Sequence, residues 1–467
     1  MSGPSTEALR EDGAILLVSC YELGHAPHGL AVPAGFLRRA GYAPALLDLA
    51  VSRIDAEMVA RARLIAISVP MHTALRLALA ALPRLRALAP RAVFGFTGHY
   101  AVLHRETLRE LGAAFTLGGE MEEELVEVAR RLDSGLGGSE LGSTEAPGPD
   151  VPVSLVRLRF PAPDRSGLPP PSRYAHLIEA GGEKRVAGYT EASRGCLDTC
   201  RHCPVPAVYR GRFFVVDAGT VLADVAAQVE AGARHITFGD PDFLNGPRHG
   251  LAVARELHRR FPDVSFDITA QVTHLLRARE QLAELVELGC AFATTAVESL
   301  SDRVLEALAK RHRRADVEEL LGLCDAAGLV VRPTFVPFTP WTEMADMVDL
   351  VHFLAARDLH DRVAPVQLSI RLLVPPGSLL LESHPACFGR LEPAALGHDW
   401  VHPDPRVDRL QRRIAALVDT DATGERDPIE TMADIGRLVH EAAAAPRLIP
   451  PLRPGRKSPR LSEPWFC

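Results

Sequence analysis

Cysteine, tryptophan and long apolar runs are scarce in this chain. Eight cysteines and three tryptophans occur among 467 residues, and so few cysteines in a chain of this length exclude a disulfide scaffold. No apolar run reaches the roughly 18 residues that a membrane-spanning helix needs. The first residues also lack the basic and apolar regions of a signal peptide. We therefore expect a protein of the reducing cytoplasm that has no membrane partner.

The charge balance is mildly acidic. Lysine and arginine total 52 against 59 aspartates and glutamates, which gives a formal net charge of −7. A nucleic-acid-binding surface is normally basic, so the composition argues against a nucleic-acid partner. The apolar share of 47% and the charged share of 24% are ordinary for a globular protein. A chain of 467 residues is long enough for two or three domains.

Three of the cysteines stand close together in the segment 188–212, where Cys196, Cys200 and Cys203 form a Cys-x-x-x-Cys-x-x-Cys pattern. Soft thiolates suit iron, and three of them can hold three corners of a cubane iron–sulfur cluster. The fourth iron would then keep an open coordination position, as a catalytic zinc ion does. A structural zinc site is the alternative, but such sites usually show a second Cys or Cys/His pair, and none lies nearby.

The spacing resembles the signature of the radical S-adenosylmethionine (SAM) superfamily. The resemblance implies a [4Fe–4S] cluster held by Cys196, Cys200 and Cys203, with SAM on the open iron through its amino and carboxylate groups. It also implies a flavodoxin- or ferredoxin-type partner, whose electron allows reductive cleavage of SAM to a 5′-deoxyadenosyl radical. The residue before the third cysteine is often aromatic in the superfamily; here it is His202, on the side of the SAM adenine.

Apolar segments alternate with helical patterns over residues 188–391. The resemblance implies that these β/α units form the partial (β/α)6 barrel of the superfamily, with its chemistry at the carboxyl ends of the strands. The expected strands are 188–193, 235–239, 264–269, 291–297, 329–335 and 366–373.

Two segments that follow expected barrel strands carry carboxylates. Asp240 and Asp242 follow the second strand, where relatives grip the amino group of SAM, and the sequence does not choose between them. A turn held by an Asx contact is the structural alternative. Glu298 follows the fourth strand in a segment that resembles the superfamily's Glu-Ser motif, whose glutamate accepts hydrogen bonds from the ribose hydroxyls. Capping of the next helix is its alternative role.

Two arginines lie inside expected barrel strands. Arg332 and Arg371 could each pair with the SAM carboxylate through a bidentate guanidinium. An ordinary ion pair in the core is the alternative for both. Gln271, just after the third strand, is a further candidate.

Residues 1–133 predict a separate α/β domain with a doubly wound parallel sheet, because short apolar strands alternate with helical segments. The expected strands are 14–20, 43–49, 64–70, 93–98 and 115–120. Ligands of such sheets lie beyond the carboxyl ends of the strands. The candidate loops are therefore 25–30, 68–73, 98–101 and 118–122.

These loops resemble the cobalamin-binding domain that precedes many radical SAM barrels. The resemblance implies cobalamin as a cofactor, with small residues where the flat corrin approaches the backbone. His25 and His28 are candidate cobalt ligands, although Leu23 stands where the usual Asp-x-His-x-x-Gly motif has its aspartate. A degenerate nucleotide-type fold that binds nothing is the alternative. The candidate cofactor-binding residues are Gly29, Ser68, Gly98, Gly119 and Glu120.

The remaining segments are a linker and connector at residues 134–187 and a C-terminal extension at residues 392–467. The linker is rich in glycine, serine and proline. The last residues, Leu-Ser-Glu-Pro-Trp-Phe-Cys, resemble the tail of radical SAM proteins that end in Cys-Cys-Ala-Glu-Pro or Cys-selenocysteine-Ala-Glu-Pro. One hypothesis is that a selenocysteine codon follows Cys467; a natural terminus is the alternative.

The resemblance as a whole implies a cobalamin-dependent radical SAM enzyme that transfers a methyl group to an unactivated carbon of an unidentified substrate. A radical rearrangement, a cyclisation or a thiol- or selenol-linked redox reaction without methyl transfer is the nearest alternative. An electron-transfer or sensor protein with a fully ligated cluster and a zinc module are the alternatives from other classes.

Overall fold

The computed structural model describes residues 9–135, 153–423, 426–445 and 457–463. Residues 136–152, within the predicted linker and connector, and the terminal Cys467 lie outside these described residues. The hypothesis about the tail therefore stays a prediction. None of the described helices is long and apolar enough to cross a membrane.

The first sheet is formed by Ile15–Ser19 (β1), Ala45–Asp48 (β2), Leu64–Ser68 (β3), Val93–Thr97 (β4) and Phe115–Leu117 (β5). All five strands are parallel, in the order β2-β1-β3-β4-β5. β1 and β3 are buried along their whole length, as their uninterrupted apolar sequences predict. Alternate residues of each strand enter two different apolar clusters, one on each face, so the predicted doubly wound sheet is confirmed.

Six helices cover this sheet, and the strand order places its ligand crevice. Because β2 and β3 lie on opposite sides of β1, the connections leave in opposite directions, and such a sheet opens a crevice at the carboxyl ends of β1 and β3. The helices are His28–Arg39, Ala56–Arg61, His72–Leu88, His99–Leu103, Arg105–Glu110 and Glu122–Asp133.

The remaining strands are His176–Ile178 (β6), Lys184–Thr190 (β7), Ser193–Gly195 (β8), Phe213–Val215 (β9), His235–Phe238 (β10), Ser265–Thr269 (β11), Cys290–Glu298 (β12), Val331–Phe335 (β13), Leu391–Glu392 (β14), Gly397–His398 (β15) and Arg460–Leu461 (β16). Seven of them form one sheet, in the order β13-β12-β11-β10-β7-β6-β16. β7 and β10 to β13 are parallel, which gives the half barrel that the sequence predicts.

The helices of this half barrel pack a large apolar core against the sheet. The helices that follow β13 extend this core, and the last two, Pro405–Thr423 and Pro428–Ala443, pack against each other. The other helices are Pro204–Tyr209, Ala218–Glu230, Pro247–Arg260, Val272–Arg277, Leu282–Glu287, Asp302–Ala307, Arg314–Ala327, Met344–Ala356 and Leu379–Ser383, with single 3-10 turns at Pro171–Arg173, Arg279–Gln281, Pro365–Ser369 and Pro385–Cys387.

The strand predicted at residues 366–373 does not form. A 3-10 helix, Pro365–Ser369, takes its place, and only an isolated bridge joins Phe338 to Arg371. Pro365 has no N–H to give to a ladder, and the Gln367 side chain accepts the hydrogen bond of the Phe335 N–H at 3.1 Å instead. The Gln367 side chain thus provides the hydrogen-bond acceptor that a sixth strand would have offered to the Phe335 N–H.

The opposite edge of the half barrel carries two strands that the sequence does not predict. β6 comes from the connector and pairs antiparallel with β7. β16 comes from the C-terminal extension and pairs antiparallel with β6, where Leu461 packs against Leu177 and Phe292. Part of the predicted C-terminal extension therefore forms the outermost strand of this sheet.

Candidate functional site

The loop that carries the three cysteines leaves the carboxyl end of β7 through β8. Gly195 has a φ of +74°, and a Cβ there would clash with the Arg212 carbonyl, so this turn needs glycine. The loop is fastened to the rest of the half barrel at Arg201, whose N–H donates to the Leu308 carbonyl at 2.9 Å. The Ser378 hydroxyl donates to the Arg201 carbonyl at 3.1 Å. The cysteine loop is therefore held in place by backbone contacts.

Cys196 and Cys200 are 6% and 5% exposed, and Cys203 is half-buried. Burial, partly offset by a backbone hydrogen bond, raises the pKa of Cys196 to about 11. Burial also raises the pKa of Cys203, and the neighbouring Cys200 and Cys196 add to the effect. The three groups thus influence one another and hold their protons at neutral pH. Metal binding would have to displace those protons.

A single zinc ion and an iron–sulfur cluster require different distances between their cysteine sulfurs. Zinc–sulfur bonds of about 2.3 Å would place tetrahedral thiolates about 3.8 Å apart. In the described part of the chain, the cysteine sulfurs do not form a group within 4.8 Å of one another, whereas ligand atoms of Asp198, Asp242 and His274 do. Of these two groups among the described residues, the aspartates and His274 meet the spacing of ligands around a single ion, and the cysteines do not.

Two amide side chains lie against Cys196. Gln271, at the end of β11, places its Nε2 3.7 Å from the Cys196 sulfur. Asn245 accepts from the Leu197 N–H at 3.2 Å, and the Cys196 sulfur lies 3.9 Å from the same oxygen. Hydrogen bonds to sulfur ligands tune iron–sulfur groups. The sequence proposed Gln271 and missed Asn245, which no recognisable motif marks.

Glu298 ends β12 with a φ of +65°, a strained conformation for a residue with a side chain. Its Oε1 lies 3.5 Å from Lys310 Nζ and 3.2 Å from His202 Nε2. Burial alone would raise the pKa of Glu298, but the Lys310 charge and the His202 hydrogen bond outweigh it and lower the pKa to about 2. The structure thus brings together His202 and Glu298, both predicted from the sequence.

Lys310 was not predicted. Its side chain is 2% exposed, and burial, which lowers the pKa of an ammonium, is outweighed by Glu298, Cys200 and Cys203, so its pKa is raised. It is therefore a buried cation on the cysteine side of Glu298. The sequence could have drawn attention to Lys310, because it is one of only three lysines among 52 lysines and arginines.

The two aspartates after β10 have separate partners. Asp240 accepts from the Ala192 N–H at 2.9 Å and from the Ser193 hydroxyl. Burial, only partly offset by these bonds, raises the pKa of Asp240 to about 7.

Asp242 accepts from the Leu244 and Gln271 N–H groups at 2.9 and 3.0 Å and meets His274 Nδ1 at 2.7 Å. Its contact with the Leu244 N–H is an Asx turn, which is the structural role that the sequence analysis gave as the alternative to SAM binding. A role of either aspartate toward SAM stays a prediction.

Arg332 and Arg371 have partners in the C-terminal region. Arg332 donates to Ser458 Oγ at 3.0 Å and lies over the Phe292 ring. Arg371 pairs with Asp408 at 2.5 Å and lies 3.4 Å from the centre of the Trp400 ring. Arg371 therefore forms the ion pair that was its alternative role, and Arg332 is held by a hydrogen bond to Ser458. Neither contact brings an arginine to the three cysteines.

In the first sheet, Gly29 and Ser68 meet at the crevice between β1 and β3. A Cβ on Gly29 would lie 2.5 Å from Ser68 Oγ and 2.6 Å from Glu22 Oε1. The Gly29 N–H donates to the Glu22 carboxyl at 3.1 Å. Burial raises the pKa of Glu22 to about 8 despite that bond. The crevice thus holds a carboxyl group that is largely protonated at neutral pH.

Gly98, Gly119 and Glu120 occupy the next two loops of this sheet. Gly98 and Gly119 have φ values of +104° and +72°, and a Cβ on Gly98 would touch the Val69 backbone at 3.0 Å. Glu120 is fully buried and accepts from the Tyr209 hydroxyl at 3.0 Å. Burial, opposed by the Arg194 charge, raises the pKa of Glu120 to about 7. Glu120 therefore faces the half barrel.

Arg194 in β8 joins the two sheets. Its Nη1 lies 2.6 Å from Glu122 Oε1, its Nε lies 3.2 Å from Glu191 Oε2, and Glu120 is 4.0 Å away. One guanidinium thus lies beside two buried carboxyls, of Glu120 and Glu122, and the half-buried carboxyl of Glu191. A narrow crevice beside it is lined by residues of both domains, including His28 and Asp224. After Asn245 and Lys310, Arg194 is a third residue that the sequence did not single out.

Several buried polar atoms between the two sheets have no hydrogen-bond partner among the described residues. They lie at the carboxyl ends of the first sheet's strands: Ser19 Oγ, His25 Nδ1, His99 Nε2 and Glu120 Oε2. Burial lowers the pKa of His25 to about 4, so its imidazole is neutral at neutral pH. His28 Nδ1, by contrast, lies 3.3 Å from the Arg165 guanidinium. Unpaired buried polar atoms are costly, and their position fits a polar ligand.

The comparisons with known proteins cover both parts of the chain. A model of the radical SAM superfamily matches residues 190–354. A curated tRNA-2-methylthio-N(6)-dimethylallyladenosine synthase from Nocardia farcinica is 27% identical over 249 residues, which are 49% of this chain and 47% of that protein. The chain therefore spans about half the length of this curated relative.

Two solved structures have a similar fold. One is the cobalamin-dependent SAM radical enzyme OxsB with aqua-cobalamin and SAM bound, with a TM-score of 0.70, 14% identity and coverage of 88% of this chain and 67% of that chain. The other is the radical SAM methyltransferase TsrM from Kitasatospora setae, with a TM-score of 0.64, 18% identity and coverage of 80% and 76%. At identities this low, the structural similarity shows a shared fold and no more.

The segment that the family model matches contains the three cysteines, Glu298 and Lys310. Enzymes of this superfamily use a [4Fe–4S] cluster and SAM, and this segment offers three thiols in one loop, two of them buried and one half-buried. Residues 190–354 are therefore a radical SAM domain, and the chain shares its fold with the cobalamin-dependent enzyme OxsB and the methyltransferase TsrM.

Proposed function

We propose that this enzyme binds cobalamin in its N-terminal domain and transfers a methyl group to an unactivated carbon atom. The observation that carries the proposal is the packing of the first sheet, with its unpaired polar atoms, against the cysteine side of the half barrel. The similar structures support it, because OxsB binds aqua-cobalamin and TsrM is a methyltransferase.

The N-terminal residues suit a flat ligand with amide groups at its edge. Gly98 and Gly119 have no room for a side chain, because a Cβ would meet the Val69 backbone or the Ser154 carbonyl oxygen, so these loops pack closely at the edge of the sheet. The unpaired atoms of Ser19, His25 and Glu120 can exchange hydrogen bonds with amides. The Nδ1 atom of His25 is unpaired, whereas that of His28 lies 3.3 Å from the Arg165 guanidinium, so His25 is the better of the two candidate histidines for a cobalt ligand.

When bound, the cluster and SAM supply one-electron reductive cleavage of the sulfonium, and a cobalamin carrying a methyl group supplies that group. The chain's own residues position and shield these groups. Cys196, Cys200 and Cys203 would hold three irons and leave one open to SAM. Glu298, kept ionised by Lys310, presents an acceptor for ribose hydroxyls. Arg194 fastens the two domains together, which keeps water from the space between them.

A flavodoxin- or ferredoxin-type protein would supply the electron. The substrate class stays open. The curated relative is named for a tRNA modification, but the net charge of −7 gives no support for a nucleic-acid substrate.

Label transfer from SAM tests the proposal without a substrate. The enzyme is reconstituted anaerobically with iron, sulfide and cobalamin, reduced with dithionite and incubated with SAM that carries a trideuterated methyl group. We expect bound cobalamin in the absorption spectrum, the labelled methyl group on extracted cobalamin, and 5′-deoxyadenosine. Cys200→Ala should lose 5′-deoxyadenosine and keep cobalamin. Formation of 5′-deoxyadenosine without any cobalamin binding would refute methyl transfer and favour a rearrangement, cyclisation or redox reaction.

A further inference from the structure

The cysteine loop reaches the protein surface between two of its cysteines. Leu197 is 47% exposed, one of few large apolar side chains so exposed among the described residues. Thr199 is exposed as well. The flanking Cys196 and Cys200 are only 6% and 5% exposed. The chain therefore presents an apolar spot at the surface, one residue from a cluster ligand.

Three exposed arginines surround this spot. Arg210 and Arg212 flank Gly211, where a Cβ would lie 3.4 Å from Thr199 Cγ2 and 3.8 Å from the Leu197 carbonyl oxygen. Arg311 approaches from the other side, with its Nε 3.0 Å from Asp198 Oδ1 and its side chain 54% exposed. We name Leu197, Thr199, Arg210, Arg212 and Arg311 the loop face.

The charge of the loop face is opposite to that of the whole protein. The chain carries a net charge of −7, and the one acid on the exposed stretch, Asp198, is buried and paired with Arg311. Arg210 and Arg212 therefore leave an excess of positive charge beside the apolar spot. A small apolar centre with a charged rim is typical of transient interfaces, in which charge steers the encounter.

We infer that the loop face docks an acidic one-electron carrier protein and is the entry point for the electron. The inference rests on the proposed cluster at Cys196, Cys200 and Cys203. In the docked complex one electron leaves the carrier, which is oxidised by one equivalent, and reduces the cluster by one equivalent; no bond or proton is exchanged. The short path through Cys196 and Cys200 favours this face over surfaces that helices separate from the cysteines.

Anaerobic stopped-flow reduction of the reconstituted full-length enzyme tests the inference, with reduced flavodoxin or dithionite as the donor. The double variant Arg210→Glu/Arg212→Glu should be reduced by flavodoxin at least about tenfold more slowly at low salt, because charge steering is lost. Its rate should also rise with added salt, where that of wild type falls, because the reversed charges repel an acidic carrier. Reduction by dithionite should stay within about twofold of wild type. Arg91→Glu, an exposed charge reversal in the N-terminal domain, is the matched control and should behave as wild type.

The two donors separate the possible failures. If the double variant accepts electrons from flavodoxin as fast as wild type, the docking inference is wrong, while 5′-deoxyadenosine formed with dithionite still supports the cluster. If wild type binds no cluster that dithionite reduces, the proposed function itself fails and the inference with it. Should the double variant lose iron or melt early, Leu197→Glu replaces it, and an unchanged flavodoxin rate in that variant overturns the inference equally.

Discussion

Replacing Lys310 by methionine removes the buried cation that keeps Glu298 ionised. The two charged atoms are 3.5 Å apart, with side-chain exposures of 2% and 9%. With an effective dielectric constant of about 20, their attraction is about 4 to 5 kcal/mol. Breaking a buried pair on one side typically costs about 3 to 5 kcal/mol, because the other charge stays buried. We therefore expect a loss of that size in the free energy of unfolding.

A double-mutant cycle isolates the pair. Lys310→Met, Glu298→Gln and the double variant are compared with wild type by urea unfolding of the metal-free protein. Tryptophan fluorescence follows the half barrel, because Trp341 and Trp400 pack in its C-terminal part. The double variant should be more stable than the sum of the single losses predicts, by about 3 to 5 kcal/mol.

The pH dependence adds a second readout of the same pair. The pKa of Glu298 is lowered to about 2 from an ordinary 4.5, so its ion pair stabilises the protein above about pH 5. That contribution is lost as the pH falls toward 2. Lys310→Met should weaken this acid dependence. A coupling energy below about 1 kcal/mol, with an unchanged acid limb, would contradict the pairing of these two residues.

Three further perturbations test other parts of the structure. Arg194→Met leaves the buried carboxyls of Glu120 and Glu122 without their cation and should cost about 3 to 5 kcal/mol, seen as a lower melting temperature; an unchanged melting temperature would contradict the role of Arg194 in joining the two domains. Glu22, with a pKa raised to about 8, costs stability as the pH rises from about 5 to 8. Glu22→Gln should therefore abolish about 2 kcal/mol of the loss that wild type shows between pH 6 and pH 8, and equal losses in both proteins rule this out. Gly239→Ala would overlap the Tyr189 hydroxyl and should cost about 1 to 3 kcal/mol, whereas Gly322→Ala, which meets nothing within 4 Å, is the control and should not destabilise.

Local sequence signals predicted the parts of the fold that depend on local physics. The apolar runs of β1 and β3 are buried strands because both faces of a parallel sheet are covered. The three cysteines could be predicted because a cluster needs its ligands within one loop, so the spacing is visible in the sequence.

The features that the sequence missed depend on contacts between distant segments. The strand expected at residues 366–373 is replaced by a 3-10 turn because Gln367 satisfies the Phe335 N–H. β16 pairs with β6 across more than half of the chain. Lys310 lies beside Glu298 only because the helix Asp302–Ala307 turns the chain back toward the cysteines. No residue pattern announces such pairings.

The same reasoning explains the arginines. A guanidinium inside a strand pattern can face any neighbour, and Arg332 and Arg371 face Ser458 and Asp408 of the C-terminal extension. Arg194, which lies in the cysteine segment itself, pairs with a helix of the N-terminal domain. The sequence shows where the charged residues lie, but their partners can be identified only from the folded structure.

The open iron of a cluster held by only three cysteines can be tested directly by electron paramagnetic resonance. The anaerobically reconstituted enzyme is reduced, and its spectrum is recorded with and without SAM. We predict that SAM changes the g-values of the reduced cluster, because it binds to the iron that Cys196, Cys200 and Cys203 leave open. A reduced cluster whose spectrum is identical with and without SAM would contradict this central claim.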